Sequence, residues 1–390
     1  MAINIYNIIE QLAFNRPSAS NEELKAASII RNCIYEMGKS CEIVNYDIID
    51  YEVVNTTLKS MDKEYDVVGI KGSGNANQIS APLYFMENSS DQDNFKLRGK
   101  IVLIEGSLDI EKYQKLLNCK AAAFITYDET ITELDQKYIS IGTIPGVKIK
   151  KDDARILIKD NPLFLTLDLE QRSTYRTGRN VISEIRGTTF PNEIMCITSS
   201  LDSYPNSIGA YDSGTGCAML LKIFEHFTQN PPKRTIRFLW FGSEKNNNTG
   251  SKTYLENLED VDLEKIIFSL TIDKCGLALG KTTINVYTEH ALANYIAYES
   301  KIASYPIHVT SKHPYSSAIY FAKNNIPALL FSKLSTMKEK EVDSLQLISE
   351  ETLESTALFL LNLLQKFINA DTFPVKRIIP DEVKAILNKH

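Results

Sequence analysis

Four acidic side chains stand where β-like runs of this chain end or where a helix begins. Asp202 closes the run EIMCITSSLD, Glu244 closes TIRFLWFGSE and Asp273 closes IIFSLTID. Asp212 lies in GAYDSGTG, at the start of a helical segment. One such acid is usually a cap or a solvated loop residue. Four of them repel one another and need a counter-charge, either a metal ion or a lysine, which is typical of functional sites.

The elements that carry these acids alternate between strand and helix from about residue 171 onward. Strand-like runs are separated by helical segments such as GTGCAMLLKIFEHFTQN, and the order repeats. This alternation predicts an α/β fold with a doubly wound sheet, whose functional crevice lies beyond the carboxyl ends of the strands. We therefore expect Asp202, Glu244 and Asp273 to meet at one edge of the sheet.

The first part of the chain has a different pattern. NEELKAASIIRNCIYEMG has apolar residues at helical spacing, with Asn21 as the expected cap and Gly38 as the expected stop. Further on, short β-like runs such as GKIVLIEG and AAAFITYD are separated by polar turns. We predict an N-terminal part of the main domain at residues 1–60, an inserted domain at residues 61–170 and the main part at residues 171–390.

The composition argues against several classes of partner. The 390 residues are 43% hydrophobic and 24% charged, with a formal net charge of −6. No basic run follows the pattern of a phosphate-binding surface, and no apolar run approaches the roughly 20 residues that span a bilayer. Six scattered cysteines without CxxC pairing suit reduced, buried thiols. We expect a soluble, cytoplasmic protein with no nucleic-acid or membrane partner.

Several stretches resemble the co-catalytic zinc aminopeptidases of metallopeptidase family 28. They are, in chain order, LDSYPNSIGAYDSGTGCAMLL, PPKRTIRFLWFGSEKNNNTGSKTYLE, LTIDKCG and YSSAIYFAKNNIPALLFS. The resemblance implies a doubly wound mixed sheet of zinc-exopeptidase type. LRGKIVLIEG and KAAAFITYD resemble the protease-associated domain of many members, which implies that the insert is a smaller, β-rich domain of that kind. The tail FPVKRIIPDEVKAILNKH resembles a cytoplasmic bacterial branch.

The resemblance also implies a zinc chemistry, of which this chain retains only a part. In the family, two zinc ions are held by two histidines, two aspartates and a glutamate, and a neighbouring glutamate is the general base. By residue-for-residue correspondence, Asp212 is the bridging aspartate and Asp273 the second aspartate ligand. Glu244 corresponds to the general base, and Asp202 to the aspartate that orients the first histidine.

Three ligand positions of the family are substituted in this chain. Ser200 stands where the first histidine is expected, and Lys245 replaces the second glutamate of a Glu-Glu pair. Glu339 stands at the last histidine position if Asp343 is the aspartate four residues beyond it. Because zinc prefers nitrogen and sulfur ligands, we expect no tight di-zinc centre, and the two remaining aspartates are interpreted as vestigial ligands.

Lys245 adds a positive charge where the family places a metal ligand. The hypothesis is that its ammonium group pairs with Asp212 and Asp273 as a built-in counter-ion, because unpaired buried carboxylates are costly. The alternative is a lysine that points from its loop into solvent. Ala318 stands where the family segment usually has an aspartate, which indicates a relaxed demand on the site. His313, near the substrate-side loop of the family, is considered as a replacement for a lost ligand, but it lies upstream of the family's ligand position.

These substitutions favour an aminopeptidase-like protein that is inactive or impaired and has a binding or regulatory role toward a peptide or protein ligand. The alternative is an active metal-dependent aminopeptidase that releases N-terminal residues with an altered metal set. One hard divalent cation, such as magnesium, calcium or manganese, would then bind four carboxylates. They are those of Asp212, Glu244, Asp273 and Glu339. A third hypothesis is that the inserted domain docks a protein partner and the large domain is a scaffold.

Overall fold

The computed structural model of the chain describes residues 3–387 except 62, 88–95, 106–107, 109, 130–141, 312 and 336–342. The helices are α1 (Ile5–Leu12), α2 (Asn21–Glu36), α3 (Ile110–Asn118), α4 (Lys151–Asp160), α5 (Thr215–Gln229), α6 (Thr249–Glu256), α7 (Asp260–Lys265), α8 (His290–Ile302), α9 (Ser317–Lys323), α10 (Glu350–Asn369) and α11 (Asp381–Leu387). The strands are β1 (Glu42–Lys59), β2 (Glu64–Tyr65), β3 (Val67–Gly69), β4 (Ala76–Ala81), β5 (Leu83–Met86), β6 (Ile101–Ile104), β7 (Ala123–Asp128), β8 (Gly146–Lys150), β9 (Leu165–Ile185), β10 (Phe190–Ser200), β11 (Arg234–Phe241), β12 (Ile266–Ile272), β13 (Lys281–Tyr287), β14 (His308–Thr310) and β15 (Ala328–Leu334).

The chain divides into two compact units. Of the described residues, the first unit comprises 3–48 and 177–387, and the second comprises 49–176. Both divisions fall inside the long strands β1 and β9, which continue from one unit into the other. The boundaries predicted from the sequence, at residues 60 and 170, both lie within the second unit. A continuous strand shows no change of composition at the point where it passes from one unit to the other, so the sequence does not mark that point.

The sheet of the first unit is mixed, as the sequence predicts. Its strand order is β14-β13-β15-β12-β10-β11-β9, with β1 beside β9. Strands β11, β10, β12 and β15 are parallel neighbours. Strand β13 runs antiparallel to β15, and β9 runs antiparallel to β11. The carboxyl ends of the parallel strands therefore lie at one edge.

Helices cover both faces of this sheet. Met195 and Ile197 of β10 pack in a core with residues of α1, α2, α5, α8 and α10. The alternating residues Ile194 and Cys196 pack in a second core with residues of α6, α9 and α11. Successive side chains of a strand point to opposite faces, so a strand that is covered on both sides reads as a continuous apolar run. The expectation of a doubly wound sheet is confirmed.

The second unit has its own sheet, in the order β3-β8-β7-β6-β5. Strands β5, β6, β7 and β8 are parallel, and β3 runs antiparallel to β8. Strand β4 pairs with the first residues of β9, and β2 pairs with the end of β1. The unit is rich in strands, but its assignment as a protease-associated domain stays a prediction.

The start of α2 differs from the prediction by one residue. Ser20, not Asn21, is the cap, because the Ser20 hydroxyl accepts a hydrogen bond from the amide of Glu23 at 3.0 Å. Gly38 has a φ of 73° just beyond the helix, as expected of a stop. None of the helices in the described part of the chain is long and apolar enough to cross a membrane. All six cysteines are free thiols.

Candidate functional site

The acids predicted to cluster are brought to one edge of the sheet. β10, β11 and β12 are adjacent and parallel, and they end just before Asp202, Glu244 and Asp273 respectively. Asp212 reaches the same place from the turn Ala210–Gly214, which leads directly into α5. Side chains from four different segments of the first unit are therefore close enough to interact.

Asp212 is ion-paired with two lysines. Lys245 Nζ donates a hydrogen bond to Asp212 Oδ1 at 2.5 Å, and Lys274 Nζ lies 3.0 Å from Asp212 Oδ2. The side chains of Asp212, Lys245 and Lys274 are 4%, 9% and 12% exposed. The Lys245 ammonium also lies 5.1 Å from the centroid of the Tyr204 ring. The predicted ion pair of Lys245 with Asp212 is confirmed, its pairing with Asp273 stays a prediction, and the alternative of a lysine in solvent is wrong.

The charges of this centre stabilise one another. Burial alone would raise the pKa of Asp212, but the ammonium groups of Lys245 and Lys274 outweigh burial and hold that pKa well below its ordinary value. Burial would lower the pKa of Lys245, yet Asp212 and Asp273 raise it above its ordinary value. Asp212 and Lys245 therefore remain charged at neutral pH.

The turn that carries Asp212 is held by Asp343. Asp343 Oδ2 accepts a hydrogen bond from the amide of Gly209 at 2.7 Å, and Oδ1 accepts one from the amide of Tyr211 at 2.8 Å. The hydroxyl of Thr215 donates to the carbonyl of Tyr211 at 2.7 Å. The sequence analysis considered Asp343 only as the aspartate four residues after Glu339. In the structure, its carboxylate stabilises the turn that carries Asp212. Glu339 itself lies outside the described residues.

Asp202 binds backbone amides of the loop that follows β11, where the family's aspartate binds a histidine. Its carboxylate accepts hydrogen bonds from the amides of Glu244 at 3.0 Å and Lys245 at 2.9 Å, and from the hydroxyl of Ser18 at 2.6 Å. Asp202 is fully buried, and burial raises its pKa. In this chain the acid that corresponds to an orienting aspartate holds the loop that contains Lys245.

Glu244, the residue at the general-base position, is bound to the start of α6. Its carboxyl accepts hydrogen bonds from the amide of Ser251 at 2.8 Å and from the Ser251 hydroxyl at 3.1 Å. Burial raises the pKa of Glu244 to about 8. This carboxyl is therefore mainly protonated at neutral pH, a state in which it does not accept a proton from water.

Ser200 and Asp273 contact each other. The hydroxyl of Ser200, which stands at the first histidine position, donates to Asp273 Oδ1 at 3.4 Å. A hydroxyl of this kind is a weak ligand for zinc compared with an imidazole. The histidine considered as a replacement, His313, is instead buried with its ring centroid 4.9 Å from that of Tyr287. Ala318 is fully buried in the second core.

Three residues that contribute to the site were missed by the sequence interpretation. Lys274 could have been noticed, since it directly follows Asp273. Arg16 and Glu23 had no local signal, because they lie far away in the sequence. Arg16 is fully buried and donates to the carbonyls of Leu201 at 2.7 Å and Gly209 at 2.9 Å. It thereby holds both ends of the segment between β10 and Asp212.

The described side chains around Asp212 do not match the ligands of a di-zinc centre. Both oxygens of Asp212, the expected bridging ligand, face ammonium groups, and Lys245 offers a cation where the family has a carboxylate. Among the residues that the structure describes, no three His, Cys, Asp or Glu side chains converge as a metal site would require. Zinc would have to displace an ammonium group from each side of Asp212 to bind as the family binds it.

Comparison with known proteins agrees with this fold. The sequence model described as "Peptidase family M28" matches residues 180–364. Aminopeptidase YwaD of Bacillus subtilis (strain 168) is 27% identical over 318 residues, which cover 78% of this chain and 68% of YwaD. Leucine aminopeptidase 2 of Trichophyton rubrum is 25% identical over 252 residues, covering 59% of this chain and half of the fungal protein.

Solved structures share the fold over nearly the whole chain. The aminopeptidase from Aneurinibacillus sp. strain AM-1 has a TM-score of 0.79 at 22% identity, with 96% of this chain and 95% of that one covered. BSAP, described as a zinc aminopeptidase from Bacillus subtilis, has a TM-score of 0.75 at 22% identity, with 97% and 98% covered. The family resemblance predicted from the sequence is therefore confirmed: residues 180–364 of this chain match peptidase family M28.

Proposed function

We propose that this protein is an aminopeptidase-fold homologue that binds a peptide or protein ligand without zinc-dependent hydrolysis. The observation that carries the proposal is the pair of ammonium groups on Asp212. A bridging aspartate gives one oxygen to each of two metal ions. Here those oxygens are taken by Lys245 and Lys274, so the charge that the metals would supply is supplied by the chain.

The hydrogen bonds of Glu244 support the same proposal. A general base must be ionised and free to take a proton from water. Burial raises the pKa of Glu244 to about 8, and its oxygens accept hydrogen bonds from Ser251. The carboxyl is thus occupied as a structural acceptor at the start of α6.

Metal content and hydrolysis test the proposal. Protein purified without chelator is analysed by inductively coupled plasma mass spectrometry and assayed on a panel of aminoacyl anilides. We expect zinc well below one equivalent and no turnover above that of Glu244→Gln. One or more equivalents of zinc, together with turnover that Glu244→Gln abolishes, would contradict the proposal.

The alternative enzyme, which uses a hard cation, is an outcome of the same assay. Magnesium, calcium and manganese are added separately to metal-free protein, and anilide release is followed over time. Turnover that depends on one of these ions and disappears in Asp273→Asn would favour a metal-dependent aminopeptidase with an altered ligand set. No cation-dependent release is expected.

A gain-of-metal variant tests the correspondence of residues. Ser200→His combined with Lys245→Glu and Lys274→Ala removes both ammonium groups and adds an imidazole and a carboxylate beside Asp212 and Asp273. We expect this variant to bind zinc in calorimetry, because a nitrogen and three carboxylates then surround one position. Lys252→Glu, a change at an exposed lysine of α6, is the matched control and should bind none.

The ligand, location and second unit belong to the same proposal. A mixture of unmodified tripeptides, added to the protein before native mass spectrometry, is the probe for peptide binding. We propose a cytoplasmic location, a ligand site at the carboxyl edge of the β10–β12 strands, and a protease-associated character for the second unit. If native mass spectrometry detects no bound tripeptide, the result would argue against a short peptide as the ligand.

A further inference from the structure

The loop between β11 and α6 is held in a conformation that its own residues disfavour. Ser243, Asn247 and Asn248 have φ values of 54°, 54° and 50°, in the left-handed region. A Cβ atom makes this region unfavourable, and asparagine tolerates it better than serine does. Ser243 therefore needs support from outside the loop. Lys245 lies two residues further along, so its position depends on that support.

Two buried carboxyl groups bind three successive amides of this loop. Ser243 N donates to Glu23 Oε2 at 2.9 Å. The next two amides donate to Asp202, Glu244 N to Oδ1 at 3.0 Å and Lys245 N to Oδ2 at 2.9 Å. Successive amides that converge on acceptor oxygens form a backbone nest. Glu23 and Asp202 are both 0% exposed, so water does not compete for these hydrogen bonds.

We propose that Glu23 and Asp202 are positioning residues that hold Lys245 in place as the counter-ion of Asp212. The proposal rests on the proposed function, because it concerns the same ion-paired centre. Asp202 binds the amide of Lys245 itself, and Glu23 fixes the strained residue two positions earlier. Without these contacts the loop relaxes, and the ammonium group of Lys245 moves away from Asp212.

The simpler explanation is that Glu23 only caps a helix. Glu23 lies in the first turn of α2, its amide donates to the Ser20 hydroxyl, and its Oε2 also accepts from the amide of Ala19 at 3.0 Å. These contacts are local to the helix start. The same oxygen, however, accepts from both the amide and the hydroxyl of Ser243, 220 residues away. A capping role alone does not account for that connection.

The rate at which an amine-reactive acylating reagent modifies Lys245 reports on its position. Peptide mass spectrometry measures this rate, and Lys274 is the internal reference, since it pairs with Asp212 from outside the loop. Both lysines are nearly buried in the unaltered protein, so slow modification is expected. In Asp202→Asn and in Glu23→Ala we expect severalfold faster modification of Lys245 and an unchanged rate at Lys274.

Matched variants separate positioning from general stability. Glu23→Gln keeps an acceptor oxygen, so Lys245 is expected to be modified slowly in this variant. Ser20→Ala weakens only the cap of α2, so the modification of Lys245 should stay slow. Circular dichroism and the thermal midpoint establish that each variant is folded. Asp202→Asn is nearly isosteric, so it carries the test if Glu23→Ala does not fold.

Two results would overturn the proposal. One is a modification rate of Lys245 that is as slow in folded Asp202→Asn and Glu23→Ala as in the unaltered protein. The other is a parallel acceleration of Lys245 and Lys274, which indicates general loosening. Zinc-dependent turnover of anilides would refute the proposed function and would leave the labelling result to be judged by itself, because the labelling measures neither metal nor hydrolysis.

Discussion

Asp212 is neutralised by two ammonium groups of its own chain. Lys245 contacts one carboxylate oxygen and Lys274 the other, and all three side chains are largely buried. Removal of one partner from a buried ion pair leaves a charge that neither water nor the protein solvates well. At the scale of residues, each lysine is thus expected to matter more for stability than lysines in exposed ion pairs do.

Lys245→Met is predicted to destabilise the protein by about 3 kcal/mol, because Asp212 loses its shortest ion pair inside the fold. Urea denaturation at pH 7 measures the free energy of unfolding. Lys252→Met is the matched control, since Lys252 is half exposed and lies 3.9 Å from Glu256; its effect should stay within about 0.5 kcal/mol. Equal stability of the two variants would show that Asp212 does not depend on Lys245.

Glu244 predicts a dependence of stability on pH. Its folded-state pKa of about 8 lies above the ordinary value of 4.5, so the folded protein keeps a proton that the unfolded chain releases. The stability from this group is complete below pH 4.5 and declines as the pH rises to about 8. The free energy of unfolding of Glu244→Gln, measured by urea denaturation, should decline less over this pH range than that of the unaltered protein. Parallel curves of free energy against pH for Glu244→Gln and the unaltered protein would contradict the assignment.

At the scale of elements, the site depends on how closely α5 packs against β12. Gly216, in the first turn of α5, has space for no side chain. A Cβ at this position would lie 2.5 Å from the carbonyl oxygens of Ile272 and Asp273 and from the hydroxyl of Ser199. Two of these atoms belong to backbone that cannot rotate away, so the close approach of helix and strand fixes Asp273 relative to Asp212.

Gly216→Ala is predicted to destabilise the protein by about 1 to 3 kcal/mol, because the methyl group pushes α5 away from β12. Thermal and urea unfolding measure the loss. Gln229→Ala, at the exposed end of the same helix, is the control and is expected to be nearly neutral. An unchanged Gly216→Ala protein would mean that α5 has room to shift at no cost.

At the scale of the whole molecule, the described members of the ion-paired centre belong to the first unit. Its members come from residues 12–23, from the segments after β10, β11 and β12, and from Asp343. The charges that hold it are covalently part of the chain. In the proposed function, Lys245 and Lys274 take the place of bound metal ions at Asp212.

Stability is therefore predicted not to depend on divalent metal. A ligand that binds only the native state raises the unfolding midpoint, and its removal lowers it. We expect the same thermal midpoint with excess chelator and with added zinc, measured by calorimetry. The Ser200→His, Lys245→Glu, Lys274→Ala variant provides the contrast, since its midpoint should rise with zinc. A fall of the unaltered protein's midpoint in chelator would indicate a structural metal.

The parts of the site that the sequence could predict are those encoded by local pattern. The apolar runs of β10, β11 and β12 place Asp202, Glu244 and Asp273 at one edge, because parallel strands end together. Lys274 could have been noticed beside Asp273, but its ion pair with Asp212 could not be predicted, since the direction of a side chain beyond a strand end depends on the turn that follows. The contact of Glu23 with Ser243 could not be predicted either, because the position of Glu23 in the first turn of α2 is explained by local capping contacts.

The contacts of Arg16 and Glu23 have a consequence for how the chain folds. They join residues that are 185 to 220 positions apart, and the connection passes through the whole of Ile49–Arg176. Closing so long a connection is entropically unfavourable and slow compared with local contacts. During synthesis, Arg16 and Glu23 leave the ribosome well before their partners at Leu201 and Ser243 exist. A buried arginine and glutamate without those partners would be costly, so we expect α1 and α2 to dock late, after the segment following β11 has been translated.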